Sequence, residues 1–167
     1  MIRQAGAVIS KPEEKLFKTL AGTGKRVTIS LAESCTGGLA SSRLTDIPGS
    51  SKYYKGGVIA YSNSIKVSIL GVNPSTIKKF GAVSARAARE MAQGVKILMG
   101  SDLSAAITGI AGPSGSSEKK PVGLAYMAFS GKGKTVVKKV RFAGSRQEVK
   151  KKFSDALLFF VLANILP

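Results

Sequence analysis

The chain has 167 residues, 44% of them hydrophobic, which suits one packed domain over residues 1–167 and excludes a disordered chain. Its one cysteine, Cys35, excludes an internal disulfide framework, and the absence of histidine excludes a Ser-His-Asp triad, a Cys-His dyad and an ordinary zinc site. Twenty-six Lys and Arg against nine acids give a net charge of +17, a field that draws anionic ligands.

In chain order, Met1–Ser10 is too short in its apolar part to read as a signal peptide. Leu16, Phe17, Leu20 and Ala21 carry helical spacing over residues 12–23, and Gly22 and Gly24 end it. The stretch Gly22-Thr-Gly-Lys25 reads as a helix C-cap and not as a phosphate loop, because it follows a helix. Val27–Ala32 is a short buried strand. Glu33-Ser-Cys-Thr-Gly-Gly38 then turns the chain into a helix from Leu39 to Leu44. Lys55–Tyr61 is the next strand, with Asn63 the expected N-cap of a helix to Leu70, and Asn73 opens another short helix.

Ser84 caps the longest helix of this half, Ala85–Met99, whose Ala88, Met91, Ala92, Val95 and Met99 form an apolar stripe. Asp102–Ile107 is a buried strand and Thr108–Pro121 a long polar loop. Val122–Ser130 and Thr135–Phe142 are strands joined by a hairpin at Gly131-Lys-Gly133. A helix from Arg146 to Leu166 closes the chain. Its apolar run Ala156–Ala163 is far below the ~20 residues needed to span a bilayer, so a cytoplasmic protein with no membrane partner is expected. Strands alternate with helices and end in a hairpin. The fold class that follows is α/β, three layers α/β/α with a mixed, mainly parallel sheet.

Eleven of the 26 basic residues lie between Lys119 and Lys152, against the single acid Glu148. A nucleic-acid partner is conceivable on charge alone, but no aromatic-interleaved strand or recognition-helix motif accompanies these lysines. A small anionic substrate uses the same field, and the apolar last helix points to a homo-oligomer.

Three polar, glycine-bearing segments follow strands: Ala32–Gly38, Tyr61–Lys66 and Thr108–Gly123. Ligands in open α/β sheets bind where strands end and helices begin. Ser34 stands in such a turn, where it is either an ordinary cap or a nucleophile beside amides able to hold an anion. The turn is neither a Walker loop nor the G-x-S-x-G elbow of the α/β-hydrolases. Without histidine a serine nucleophile needs another base, and a buried lysine whose pKa falls from ~10.4 toward neutrality is one solution. Lys66 fits that role, with Tyr61 as a proton relay or substrate-orienting group. The alternative for Lys66 is a solvated helix lysine, and chance spacings Ser75–Lys78 and Ser116–Lys119 show how often Ser and Lys fall close together here. The loop from Thr108, with Lys120-Pro-Val-Gly123, offers hydroxyls, amides and a lysine to a phosphorylated ligand.

Ala32-Glu-Ser-Cys-Thr-Gly-Gly38, Tyr61-Ser-Asn-Ser-Ile-Lys66, Gly81-Ala-Val-Ser84, Thr108-Gly-Ile-Ala-Gly-Pro-Ser-Gly115 and Lys120-Pro-Val-Gly123 together resemble the CinA C-terminal domain family, over about residues 11–165. The resemblance implies an amidohydrolase of pyridine-nucleotide (NAD) salvage that converts nicotinamide mononucleotide to nicotinate mononucleotide and ammonia. It implies Ser34 as nucleophile, Lys66 as general base and Tyr61 as helper, with no metal and no cofactor. Substrate contacts are expected from Glu33, Cys35, Thr36, Gly37 and Gly38, with the amides of Cys35, Thr36 or Gly37 as oxyanion hole. Thr108, Gly109, Gly112 and Arg146 are expected to hold the nucleotide. A nucleotide-binding module without hydrolysis is the alternative reading. In two respects the chain departs from the family pattern: Ser116 stands where a second glycine is common, and the N-terminal pyrophosphatase domain of many members has no counterpart, so that activity is not expected.

Overall fold

The computed structural model describes residues 11–21 and 27–165. The expected C-cap at Gly22-Thr-Gly-Lys25 and the Met1–Ser10 segment lie outside the described residues. Helix α1 (Pro12–Ala21) leads to β1 (Ile29–Glu33), α2 (Leu39–Thr45), β2 (Tyr54–Ile59), α3 (Asn63–Ser68), α4 (Pro74–Phe80) and α5 (Ala85–Met99). Then follow β3 (Leu103–Gly109), β4 (Leu124–Gly131), β5 (Lys134–Arg141) and α6 (Arg146–Ile165). The one sheet has the order β2-β1-β3-β4-β5. β1 pairs in parallel with β2 and β3, whereas β3–β4 and β4–β5 are antiparallel. The sheet is therefore mixed as expected, but evenly divided rather than mainly parallel, because the chain returns directly from β3 to β4 through a loop and not through a crossover helix.

Alternation along the strands sorts two cores. Leu31, Ala105, Ile107, Met127 and Phe129 pack with α1, α2 and the apolar side of α6, including Phe153, Leu157 and Val161. Ala32, Ala106 and Ala128 face α5 on the other side. Small side chains there let α5 come close enough for Ser30 Oγ and Ser104 Oγ to donate to Val95 O and Ala92 O, at 3.3 and 2.6 Å. Gly94 lets the α3–α4 connection lie against α5, since a Cβ at this position would stand 1.8 Å from Leu70 O.

Element ends follow local chemistry. Ser84 Oγ accepts from Ala87 N and caps α5, and Asn73 Oδ1 accepts from Ser75 N ahead of Pro74. The α3 cap is Ser62, whose Oγ accepts from Ile65 N, and not Asn63 as the sequence pattern suggested. The β4–β5 hairpin turns on Lys132 and Gly133, with φ of 50° and 75°, the doubly left-handed turn that matches strand twist. β5 is an edge strand, and its exposed Lys134, Lys138, Lys139 and Arg141 guard it against pairing with another chain. Among the described residues no helix is long and apolar enough to cross a membrane.

Candidate active site

Glu33 lies in register with Ile59 on one side and Ile107 on the other, so β1 and β2 end together beside β3, which runs two residues further to Gly109. Ser34 and Ala60-Tyr61 consequently leave the sheet beside Thr108, which still pairs with Tyr126 within β3, at one point on the carboxyl edge. Ser34 N still donates to Ile107 O at 3.1 Å, which fixes the serine before the chain turns. Gly37 N closes the turn onto Ser34 O at 3.1 Å, and Gly37 and Gly38 take φ values of 65° and 94° that suit glycine.

Lys66 arrives from α3, one turn beyond the Ser62 cap, and folds back over the end of β2. It is 1% exposed. Its Nζ donates to Ala60 O at 2.6 Å, to Tyr61 O at 3.2 Å and to Ser34 Oγ at 3.0 Å. Two of the three amine directions thus end on backbone carbonyls and the third on the serine. In the neutral amine that third direction is a lone pair, and the same geometry lets the Ser34 hydroxyl donate to it. Burial pushes the Lys66 amine below the usual lysine range, against a smaller upward pull from Cys35. The arrangement can deprotonate a serine.

A cavity of about 300 Å³ opens over this pair. Cys35, Tyr61, Thr108, Gly109 and Arg146 line it beside Ser34 and Lys66. Burial pushes the Cys35 thiol up to about 12, so it stays a neutral wall group. Tyr61 is 63% exposed, and its hydroxyl accepts from Arg146 Nη2 at 3.1 Å and bonds to neither Ser34 nor Lys66. Its place here is at the rim, and its link to the amine runs through its backbone carbonyl. Arg146 Nη1 donates to Gly112 O at 2.6 Å, which puts Gly112 behind the arginine and off the wall.

Glu33, expected at the substrate, points elsewhere. Its carboxylate accepts from Gly38 N and Ala40 N at 3.1 Å each, from Ser41 N at 2.7 Å and from Ser41 Oγ at 2.6 Å. It therefore binds the start of α2, where free amides and the helix dipole favour an anion. Thr36 is fully buried with no partner for its Oγ1 among the described residues, and Thr36, Gly37 and Gly38 all lie off the wall. With Gly37 N spent on Ser34 O and Gly38 N on Glu33, the N–H groups of Cys35 and Thr36 remain as donors of the turn, both directed toward the Cys35 sulfur.

Asn63, Ala82 and Val83 also line the cavity and were not expected there, whereas Ser114 comes from the loop read as offering hydroxyls to a ligand. Asn63 had a readable signal, since three residues before Lys66 it shares that helix face. Ala82 and Val83 had none in their own side chains; Thr108 Oγ1 draws them in by donating to Ala82 O at 2.9 Å. Lys120, read as a lysine for a phosphorylated ligand, is turned away to Phe80 O at 2.6 Å. Among the described residues no cluster of histidine, cysteine and carboxylate side chains could hold a metal ion.

A family model for the CinA C-terminal domain matches residues 10–165. A CinA-like protein of Kosmotoga olearia is 46% identical over 155 residues, 93% of this chain and 37% of the relative. A CinA-like protein of Endomicrobium trichonymphae is 50% identical over 131 residues, 78% of this chain and 31% of the relative. The chain thus spans about a third of the length of these curated relatives. A crystal structure of a competence-damaged protein (CinA) superfamily protein from Enterobacter cloacae is 31% identical, with a TM-score of 0.89 and 99% of each chain covered.

Proposed function

The chain belongs to the CinA C-terminal domain family, and from that premise we propose that it is an amidohydrolase, converting nicotinamide mononucleotide to nicotinate mononucleotide and ammonia with Ser34 as nucleophile and Lys66 as base. The observation that carries this reading is the amine of Lys66, held by Ala60 O and Tyr61 O with its third direction on Ser34 Oγ at 3.0 Å. Lys66 takes the proton as Ser34 Oγ bonds to the carboxamide carbon, and the N–H group of Cys35, a residue of the cavity wall, turns from its own sulfur to receive the oxyanion. The lysinium then protonates the departing nitrogen, the C–N bond breaks, and ammonia leaves an ester on Ser34. A water deprotonated by the same amine releases the carboxylate product. Arg146 at the rim suits the phosphate, and among the described residues no carboxylate side chain lines the cavity to oppose it.

The test is ammonia release from nicotinamide mononucleotide by the parent protein, Ser34→Ala and Lys66→Ala. Release by the parent and a loss of at least about a thousandfold in both variants is expected, the scale on which removal of a catalytic nucleophile or its base acts. Retained activity in Ser34→Ala removes the covalent route, and a parent that binds the nucleotide without turnover removes the enzyme.

A further inference from the structure

We propose that Lys120 is a positioning residue that ties together two loop segments of the cavity wall and thereby sets substrate affinity. The proposal rests on the reading of this cavity as the amidase site.

Ala82-Val83, between α4 and α5, and Ser114-Gly115, in the β3–β4 connection, are two of the loop segments that line the cavity. The first is already anchored on the sheet side, where Thr108 Oγ1 donates to Ala82 O at 2.9 Å and Ser84 Oγ to Gly81 O at 2.9 Å. The second runs through residues 113–119, all exposed. That loop closes on itself further on: Ser117 N donates to Lys120 O at 2.9 Å, and Lys120 N donates to Ser117 O at 3.0 Å and Ser117 Oγ at 3.2 Å. The tight turn presents the Lys120 side chain, half-buried, toward the end of α4. There its ammonium donates to Phe80 O at 2.6 Å. Phe80 is the last residue of α4, where carbonyls lack helical partners and the helix end is negative, so a cation is the fitting donor.

Gly81 leaves the passage for this contact. A Cβ there would stand 2.6 Å from Lys120 Nζ, and its φ of 79° already favours glycine. Lys120 and Phe80 do not themselves line the cavity, and Ser34 and Lys66 are held by β1, β2 and α3. Releasing the tie therefore loosens the wall and leaves the reacting pair in place.

Two measurements on the parent, Lys120→Met, Gly81→Ala and the double variant test this. Hydrogen–deuterium exchange of peptides spanning 80–84 and 112–120 is read without ligand, and KM and kcat are read from ammonia release. Both segments are expected to exchange faster in each single variant. KM rises about tenfold with kcat within about twofold, and the double variant is no worse than Gly81→Ala, which breaks the same contact and adds backbone strain at φ 79°. Lys120→Arg, which keeps a cationic donor, recovers most of the loss. Unchanged exchange over 80–84 in Lys120→Met overturns the proposal, as does a fall in kcat at constant KM. Should the parent release no ammonia, the amidase reading fails by itself, and the exchange data still decide whether Lys120 joins the two segments.

Discussion

Glu33→Gln separates a residue that touches substrate from one that builds the turn beneath it. The carboxylate is 1% exposed and accepts four donors, all from the start of α2. A glutamine of the same shape keeps its oxygen best where Oε1 is, on the two short bonds from Ser41 at 2.6 and 2.7 Å. Its NH₂ then faces Gly38 N and Ala40 N, donors that it cannot satisfy. Hydrogen bonds to a charged acceptor contribute about 1.5–3 kcal/mol each, and hydration of the half-buried Gly38 offsets part of the loss. The net cost is about 2–3 kcal/mol, which in a domain of this size lowers Tm by roughly 5–10 °C. Because Glu33 O also accepts from Ala60 N at 2.7 Å, and Ala60 O holds Lys66, the disturbance reaches both halves of the reacting pair. Thermal unfolding followed by circular dichroism, with ammonia release at a temperature where the variant is folded, reads both effects. The expected kinetic result is a kcat lowered about tenfold or more with KM little changed. A Tm within about 2 °C of the parent, with KM raised alone, refutes the reasoning and returns Glu33 to the substrate.

The Lys66 amine is depressed by burial, so activity climbs with pH along a limb placed below the ordinary lysine value of ~10.4; a limb at or above that value contradicts the base assignment. The same shift has a sign in stability: between the folded value and 10.5 the unfolded chain binds more protons, so the parent gains stability relative to Lys66→Met as pH rises through that window. Equal pH dependence of Tm in the two proteins counts against it. Cys35→Ser keeps ammonia release within about threefold, and the native thiol resists alkylation, because burial pushes it up to about 12; rapid labelling of the folded protein would show a reactive thiolate instead.

Chain order and periodicity carried most of the architecture. Helices α4, α5 and α6 begin where Asn73, Ser84 and Arg146 announced them, since caps and apolar stripes are local signals. Sheet direction was less legible, because strand pairing is settled by the connection: the β3–β4 loop is rich in glycine and serine like a crossover's flanks, yet it makes a direct antiparallel return. At the site, the absence of histidine and the strand-end positions of Ser34 and Tyr61 were readable. The fate of Glu33 was not. A carboxylate next to a nucleophile looks functional in one dimension, and only the three-dimensional start of α2 shows four donors waiting for it. Lys120 misled for a related reason, as its nearest acceptor, Phe80 O, lies 40 residues away in the chain.

The serine–lysine pair depends on backbone more than on neighbouring side chains. Parallel pairing of β1 with β2 sets Ser34 beside Ala60 and Tyr61, and the Ser62 cap returns the chain so that Lys66 meets the carbonyls of those same two residues. Carbonyls cannot be protonated near neutral pH and cannot form a salt bridge, so they orient the amine without stabilising its charged form as a carboxylate would. An acid in their place would raise the Lys66 pKa and remove the lone pair that serine needs. The strand ends thus supply direction, burial supplies the depressed basicity, and among the described residues the only side chain to which Nζ donates is Ser34 itself. That division explains how a strongly basic chain without histidine can build a proton acceptor from its most abundant ionisable side chain.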